Sequence, residues 1–446
     1  MIPRFAIRAL AWIAAAGCAG PWGSAGCAPA PLAPRSPDGP ARSAAPEGPA
    51  SAPSPRPEPC FDYRRHLVEY AGPDAEEVPE IEAAEVRIGW FGPADPAHPA
   101  GGAMWEGALL ALEERNDRGG VGGRPLRLFP RWSENPWGTG IRGVAELSFR
   151  ERACVLLGAP DSASAHLVEQ IVAKAHVPFV NAVATEKSLN YVNLPWIFSL
   201  PPADPEIARA IARELEAEER AAAGGERRVA LISTDDHDSR QLAGEVLAAL
   251  GRTKAFPGRH AQLRAGEPDL ARALAPLAEW RPETVLVLAG PLDSARIAKA
   301  LRRTGARFVF GPQAGRRAFL EELRSRDPPA APDAAPGAAA ALGSAPPPIR
   351  GSFPLLWDAA SAGEEARAFA SRYRARFGRE PDYAAAYAYD AVQLVAAAVE
   401  RAGLHRVRIR AALRELAPFA GVTGTIEWDP AARRTGVSVA MKAVEE

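Results

Sequence analysis

The sequence predicts an α/β fold in which parallel sheets are covered by helices on both faces. Short runs of β-branched and aromatic residues alternate along the chain with stretches whose apolar residues recur at helical spacing. The predicted strands are apolar almost throughout, which is typical of parallel strands that are buried on both sides. The alternation occurs twice, from Val86 to about Ser199 and from about Pro202 to Gly311, and therefore predicts two sheet units.

Each predicted element follows from its local pattern. Apolar runs predict strands at residues 86–91, 126–129, 155–157, 178–180, 229–232, 285–288 and 308–310. Apolar stripes at helical spacing predict helices at residues 102–116, 164–175, 205–222, 241–250, 269–280 and 294–305. Further helices are predicted at residues 364–377, 383–401 and 408–416, before strands at 424–428 and 436–443. This return to strands indicates that the chain crosses between the sheet units more than once.

The composition excludes several classes of function. The chain has 446 residues, of which 47% are hydrophobic and 24% are charged, and its 53 basic and 54 acidic residues give a net charge of −1. A chain so close to neutral has no broad cationic surface, so we expect it to bind neither nucleic acid nor an anionic membrane by charge. No apolar run reaches the ~18 residues that are needed to span a bilayer.

The amino terminus has the pattern of an export signal. Residues 1–17 combine two arginines with an apolar stretch that is too short to cross a membrane, which is typical of a signal peptide. Small residues stand directly before Cys18, in a pattern similar to a bacterial lipobox, although Ala15 occupies the position where Leu is usual. We predict that Cys18 carries a lipid, which is the protein's only attachment to a membrane. Lipidation of Cys27, cleavage without lipidation and a start without any targeting role are the alternatives.

Residues 18–85 are predicted to form a tether and a preamble to the folded part. Residues 19–59 are almost all Pro, Ala, Gly and Ser, and such a segment cannot bury enough apolar surface to order itself. A second Pro/Ala-rich segment, residues 327–348, is predicted to be a solvated loop. The four cysteines have neither metal-site spacing nor a disulfide framework. The sequence leaves undecided whether Cys27 and Cys60 form a disulfide.

The sequence lacks the common enzyme motifs. It contains no Gly-x-Ser-x-Gly elbow, no Gly-x-x-x-x-Gly-Lys-Ser/Thr loop and no His-Glu-x-x-His motif. The glycine-rich residues 119–123 follow a helix and precede a strand, so they are predicted to end the helix rather than to bind a dinucleotide. The seven histidines lack metal-ligand spacing. We therefore predict a protein that is not an enzyme and that has no cofactor and no metal site.

Polar residues that directly follow predicted strands are the candidates for ligand binding, because open α/β sheets bind ligands at the carboxyl ends of their strands. Ser162 and Ser164 follow the third strand and begin a helix, where hydroxyl groups and unpaired amides can bind a carboxylate. Helix capping alone is the alternative for Ser162. Thr185 follows the fourth strand. The cluster Asp235-Asp-His-Asp238 follows the next strand along the chain, and ligand contact, helix capping and metal binding are all open for it.

A series of short motifs keeps one order from Val86 to the end of the chain. The motifs are VRIG at 86–89 with Gly-Pro at 92–93, GALLAL at 107–112, NDRGGVGGRP at 116–125, VLLG at 155–158, VPFV at 177–180, YAYDAVQL at 387–394 and GVTGTIEWD at 421–429. Ser162 and Ser164 accompany the fourth of them, and Ala184 and Thr185 the fifth. Together they resemble the type I periplasmic solute-binding proteins of ABC importers, of the leucine/isoleucine/valine-binding type.

The resemblance implies a periplasmic-binding-protein type I fold, in which two Rossmann-like lobes are joined by three crossovers and close on a small ligand by a hinge. It divides the chain into lobe 1 at residues 86–201 and 353–426, and lobe 2 at residues 202–352 and 427–446. In the family, the position that matches Ser162 binds the carboxylate of the ligand.

Three further family positions bear on ligand specificity. Those that match Ala184 and Thr185 help to hold the ammonium group of an amino acid. An acidic residue that follows a Gly-Pro pair in the second lobe neutralises this group in amino-acid binders, but here Gln313 follows the pair. A neutral amide makes a weaker bond to an ammonium than a carboxylate does. Asp238, on a neighbouring loop, is a candidate for the missing carboxylate.

Trp90 leaves the first strand and is a candidate for the pocket wall, with core packing as the equal alternative. The resulting hypothesis is a lipid-tethered, monomeric solute-binding protein in the periplasm or at the cell-envelope surface. It captures a small carboxylate-bearing molecule, an amino acid or a related compound, and delivers it to the permease subunits of an ABC importer. The alternative is a regulatory or sensory lipoprotein that uses the same fold to contact a cell-envelope protein.

Overall fold

The computed structural model describes residues 78–191, 194–221, 227–251, 253, 255–325 and 347–444. The predicted signal peptide, Cys18, the tether and the Cys27–Cys60 pair lie outside the described residues, as does nearly all of the 327–348 loop.

The first sheet contains five parallel strands in the order β2-β1-β3-β4-β5. Its strands β1 and β3 are buried along almost their whole length, because helices cover both faces of the sheet. The five strands are β1 (Val86–Phe91), β2 (Leu126–Arg131), β3 (Val155–Gly158), β4 (Phe179–Asn181) and β5 (Ile197–Ser199).

The second sheet contains six strands in the order β13-β10-β9-β8-β6-β7. All of its pairings are parallel except that of β13 with β10. A separate antiparallel hairpin, β11-β12, lies between the last helix and β13 in the sequence. These strands are β6 (Val229–Thr234), β7 (Arg259–Leu263), β8 (Thr284–Leu288), β9 (Arg307–Phe310), β10 (Gly351–Leu355), β11 (Phe419–Gly421), β12 (Gly424–Ile426) and β13 (Ala440–Ala443).

The helices alternate with the strands as the sequence pattern predicts. Within the described ranges, no helix is both long and apolar enough to cross a membrane. The α-helices are α1 (Gly102–Asp117), α2 (Ile141–Ala145), α3 (Ser162–Ala175), α4 (Ser188–Tyr191), α5 (Asp204–Ala221), α6 (His237–Leu250), α7 (Leu270–Trp280), α8 (Pro291–Leu301), α9 (Arg317–Arg324), α10 (Glu364–Phe377), α11 (Tyr383–Ala402) and α12 (Arg406–Glu415).

The chain crosses between the two sheets three times, after β5, after β10 and after the β11-β12 hairpin. Helices α1–α4 and α10–α12 accompany the first sheet, and α5–α9 accompany the second, so we call these two assemblies the first and the second lobe. The predicted return to the first lobe at residue 353 falls inside β10, because this strand pairs with β9 and β13 in the second sheet. The predicted α/β class with two parallel-sheet lobes is confirmed.

The sequence pattern did not predict four of the strands, because two have unusual sequences and two are very short. β7 has the sequence RHAQL and is mostly exposed, as an edge strand of the second sheet can be. β10 contains Pro354, which lacks an amide hydrogen. Its register with β9 covers only Gly351 and Ser352, so the proline lies beyond that pairing. β5 and β11 have three residues each, too few for a pattern to emerge.

The first lobe depends on a close contact between α1 and α11. An alanine side chain in place of the hydrogen at Gly107 would overlap the backbone carbonyl of Ala385. Since backbone cannot move aside as a flexible side chain can, only glycine permits the two helices to approach this closely.

Gly107→Ala is therefore expected to lower the free energy of unfolding by about 1–3 kcal/mol, because it overpacks the contact between these helices. Gly244→Ala is the matched control, since the added methyl group at this position in α6 would meet no atom within 4 Å. The control should raise the free energy of unfolding by about 0.4–1 kcal/mol by reducing the entropy of the unfolded chain. Urea unfolding measures both changes, and a loss of stability of the same size in both variants would contradict the packing argument.

Candidate functional site

A cavity of about 270 Å³ lies between the two lobes. The loops that follow β1, β3 and β4 line it from the first lobe, and those that follow β6, β8 and β9 line it from the second. The carboxyl ends of parallel strands meet at one edge of each sheet, so six loops converge on a single space. This is the position at which the sequence predicted ligand binding.

Ser162 is the first residue of α3 and faces the second lobe. Asp161 caps this helix, accepting a hydrogen bond from the amide of Ser164 at 2.7 Å. The amide of Ser162 donates to the two carboxylate oxygens of Asp238 at 3.1 and 3.0 Å, and its hydroxyl lies 3.2 Å from one of them. Two residues that the sequence selected separately are therefore in direct contact across the cleft.

The cluster at residues 235–238 divides its roles among its four members. Asp236 caps α6 by accepting a hydrogen bond from the amide of Ser239 at 3.0 Å. Asp235 accepts one from the amide of Ala265 at 2.9 Å. His237 and Asp238 both reach the first lobe, at Glu186 and Ser162 respectively. Capping thus involves one residue of the cluster and contact with the other lobe involves two.

The cavity has an acidic lining. Asp161, Asp236 and Asp238 belong to it, whereas no lysine or arginine does among the residues described. Burial, with the neighbouring Asp161 as a further cause, raises the pKa of Asp238 well above its usual value. Burial also raises the pKa of Asp161, and that of nearby Asp204 to about 7. A cationic group in this space would lower these pKa values by stabilising the charged carboxylates.

Other predicted site residues lie close to the cavity. Thr185 and Gln313 line it from opposite lobes. Ala184 is buried, and both its amide and its carbonyl are hydrogen bonded to the side chain of Asn181. Ser164 is fully buried and its hydroxyl has no hydrogen-bond partner.

Trp90 is placed in the core instead of the pocket wall. It is fully buried, and its indole NH donates to the carbonyl of Pro93 at 3.1 Å. Its ring meets that of Trp105 edge-on, with 5.3 Å between the centroids. It does not line the cavity.

Beside the cavity, three side chains from both lobes form a group that sequence analysis missed. His166 of α3 and Glu186, which follows β4, belong to the first lobe, and His237 of α6 belongs to the second. One donor atom from each lies within 4.8 Å of the others, so the group could hold a metal ion. The residues are far apart in the sequence, and only the cluster around His237 gave any signal.

Hydrogen bonds within and beside this group shift the pKa values of two of its members. Burial lowers the pKa of His166, but hydrogen bonds to Glu169 and Glu186 outweigh it and raise the pKa to about 9. Burial raises the pKa of Glu186, but hydrogen bonds from His166, Ser188 and His237 outweigh it and lower the pKa to about 2. The ion pairs of His166 lie within the first lobe, and the contact between His237 and Glu186 connects the group to the second lobe.

Ion pairs elsewhere in the described residues also join the lobes. Lys187 of the first lobe lies 2.5 Å from Glu245 of α6. On the other side of the cleft, Glu106 of α1 accepts a hydrogen bond from Arg317 of α9 at 2.6 Å. Together with the Ser162–Asp238 contact, these pairs hold the two lobes against each other around the cavity.

The chain matches a known protein family over most of its length. A sequence profile for the family described as periplasmic binding protein matches residues 85–445. A search of the curated proteins finds no match.

Solved structures share the fold at low sequence identity. A substrate-binding protein of an ABC transporter from Desulfitobacterium hafniense, in complex with Leu, is 21% identical with a TM-score of 0.62, covering 81% of this chain and 98% of its own. The branched-chain amino acid binding protein LivJ from Streptococcus pneumoniae, in complex with isoleucine, is 19% identical with a TM-score of 0.66. The match covers 81% of this chain and 99% of LivJ. A solute-binding protein from R. palustris, in complex with benzoate, is 19% identical with a TM-score of 0.62. The match covers 81% of this chain and 98% of the R. palustris protein.

The profile match extends from the start of β1 to beyond β13. The chain belongs to the periplasmic binding protein family.

Proposed function

We propose that this chain is a lipid-anchored, extracytoplasmic solute-binding protein that captures a small amino acid or a related carboxylate and delivers it to an ABC importer. Its family consists of solute-binding proteins and not of enzymes. Cavities that bind small molecules usually have volumes of about 300–1,000 Å³. The cavity of about 270 Å³ between the lobes is slightly smaller than this range and suits a ligand of few atoms.

The observation that carries the proposal is the bond between Ser162 and Asp238. The amide and the hydroxyl of Ser162 bind a carboxylate group, although it belongs to the protein itself. Helix amino termini favour such anions because their amides are unpaired and the helix dipole is positive there. We propose that the same groups bind the carboxylate of the solute.

In the proposed mechanism, a bound amino acid replaces the bond between Ser162 and Asp238 with one bond to each of these residues. Its carboxylate takes the place of the Asp238 side chain on Ser162, and its ammonium group becomes the new partner of Asp238. The acidic cavity lining favours the ammonium, and Gln313 and Thr185 offer further hydrogen-bonding groups on either side. Asp238 thus supplies the charge that Gln313 lacks. Closure of the lobes then excludes water from both ion pairs.

The anchoring and delivery steps rest on the sequence pattern and on the family. A lipid on Cys18 and the following tether would hold the folded part near a membrane in the periplasm or at the cell-envelope surface. We propose that the protein acts there as a monomer and that its partners are the permease subunits of the importer. The solved neighbours bind leucine, isoleucine and benzoate. Aliphatic amino acids and aromatic acids are therefore the first ligands to test.

The test compares each amino acid with its deaminated counterpart, such as leucine with 4-methylpentanoate, by isothermal titration calorimetry. Asp238→Asn is expected to weaken binding of the amino acid at least 10-fold, because the charge-assisted bond to the ammonium is lost. Binding of the deaminated acid should be unchanged or tighter, because it has no ammonium group and the variant weakens the internal bond to Ser162 that competes with its carboxylate. Asp235→Asn is the matched control, since Asp235 belongs to the same loop but does not line the cavity.

Two results would contradict the proposal. Equal weakening of both ligands by Asp238→Asn would show that Asp238 does not bind the ammonium group. A thermal-shift screen in which no carboxylate stabilises the protein would exclude solute capture, because a ligand at 100 times its dissociation constant adds about 2.7 kcal/mol of stability. The latter result would favour the regulatory lipoprotein instead.

A further inference from the structure

We propose that His166, Glu186 and His237 bind a divalent transition-metal ion of the zinc type, which ties the two lobes together beside the solute cavity. This inference goes beyond solute capture, for which no metal is needed. Of the three residues only His237 lines the cavity. The ion would therefore lie next to a bound solute without occupying its place.

The donor atoms are close to the arrangement that such an ion requires. The Nε2 atom of His166 lies 3.0 Å from Oε2 of Glu186, and the Nε2 atom of His237 lies 2.5 Å from the same oxygen. Donors at about 2.0–2.1 Å from a tetrahedral zinc ion are separated by about 3.4 Å. A movement of each side chain by less than about 1 Å would thus open the space for the ion.

The chemistry of the donors selects the class of metal. Two imidazoles and one carboxylate, with a water molecule in the fourth position, form a ligand set that zinc accepts readily. Imidazole nitrogen also suits copper, nickel and iron, whereas magnesium and calcium prefer a shell of oxygen atoms. The side chains of His166, Glu186 and His237 are 19%, 11% and 25% exposed, so solvent can supply the ion and the fourth ligand.

Neighbouring residues orient two of the three donors. The Nδ1 atom of His166 lies 2.6 Å from a carboxylate oxygen of Glu169, which turns the Nε2 atom of the same ring toward Glu186. Histidines that bind metals commonly donate their other ring NH to a carboxylate in this way. The hydroxyl of Ser188 donates to Oε1 of Glu186, which leaves Oε2 for the two histidines.

The position of the group between the lobes gives the ion a mechanical role. His166 and Glu186 are fixed to the first lobe and His237 to the second, so all three donors meet only when the lobes are together. A ligand that binds one conformation better than another shifts the equilibrium toward it. Metal binding therefore favours the closed arrangement, and opening of the cleft breaks at least one metal bond.

The test uses the full-length protein after removal of metals with a chelator. Titration with Zn²⁺ in a calorimeter, and with Co²⁺ by visible absorption, is expected to show one tightly bound ion per chain, while Mg²⁺ and Ca²⁺ should not bind. His166→Ala, Glu186→Gln and His237→Ala should each weaken Zn²⁺ binding at least 100-fold. Glu169→Gln should weaken it about 10- to 100-fold through the orientation of His166. His260→Ala, in the second lobe and bonded to Ser233, should leave it unchanged.

A second measurement addresses the coupling to closure. Small-angle scattering of the solute-free protein should give a smaller radius of gyration with Zn²⁺ than without it, and His237→Ala should abolish the difference. The absence of stoichiometric binding would overturn the proposal, since the group would then be an ion-pair network alone. Binding that all three ligand variants retain would overturn it as well, because the ion would then be held elsewhere.

Discussion

Replacing Glu106 with alanine is expected to lower the free energy of unfolding by about 3–5 kcal/mol, because it leaves the buried Tyr373 hydroxyl and the largely buried Arg317 guanidinium without their anion. Glu106 is only 1% exposed and lies in α1 of the first lobe. It accepts hydrogen bonds from Arg317 of the second lobe and from the hydroxyl of Tyr373, both at 2.6 Å, and from Arg379. One carboxylate thus compensates two cations and a phenol and connects three helical segments.

Glu113→Ala is the matched control for this prediction. Glu113 belongs to the same helix and pairs with Arg376 at 2.9 Å, but both side chains are more than a third exposed. Exposed pairs contribute about 0–1 kcal/mol, so the control should unfold almost like the unmodified protein. Chemical unfolding measures both variants. A loss below about 1 kcal/mol for Glu106→Ala would show that the buried network is replaceable by apolar packing.

Replacing Asp390 with alanine is expected to cost about 3 kcal/mol of unfolding free energy, because buried donors lose their acceptor. Asp390 lies in α11 and is fully buried. It accepts hydrogen bonds from the amides of Val422 and Thr423, both at 2.8 Å, and from the Thr423 hydroxyl at 2.6 Å. The β11-β12 hairpin packs directly on α11 at this point, because a side chain on Gly421 would overlap the Asp390 carboxylate.

The same carboxylate gives a pH-dependent test. Burial raises the pKa of Asp390 from 3.8 to about 6, against the opposing effect of its hydrogen bonds. The folded protein therefore holds a proton that the unfolded chain releases between these values, and stability falls as the pH rises from about 4 to about 6. The titration of Asp390 lowers the free energy of unfolding by about 3 kcal/mol across this pH range. Asp390→Asn removes this titration.

The comparison is made by measuring unfolding of the unmodified protein and of Asp390→Asn across the same pH range. The stability of the asparagine variant relative to the unmodified protein should rise between pH 4 and pH 6, since only the unmodified protein carries the cost of a buried charge. A difference that is constant with pH would contradict the raised pKa. Other titrating groups affect both proteins equally and cancel in the difference.

The fold was predictable because it depends on patterns that are local in the sequence. The apolar strand 155–158 and the amphipathic helix that follows it need no knowledge of the rest of the chain. Segments that lack such a pattern were missed, among them the polar edge strand β7. Its residues take a strand conformation because the neighbouring β6 offers free backbone groups, which is a property of the sheet and not of the segment.

The candidate site was predictable only in part. The convergence of strand ends selected Ser162 and Asp238 separately, because parallel sheets collect their loops at one edge. Their direct bond depends on how the two lobes meet, and 76 positions separate them in the sequence. The same reason hides the group of His166, Glu186 and His237. For Trp90 the sequence left the pocket wall and the core as equal alternatives, and the structure places this side chain in the core.

Under the proposed mechanism, the Asp238 side chain competes with the solute carboxylate for Ser162. A solute carboxylate would have to displace the Asp238 side chain, so the apparent dissociation constant would rise in inverse proportion to the fraction of molecules in which this internal bond is broken. Each 1.4 kcal/mol of strength in the internal bond raises the solute concentration needed for half-saturation about tenfold. Substitutions that weaken or strengthen this bond without touching the solute would therefore set the environmental concentration at which uptake begins.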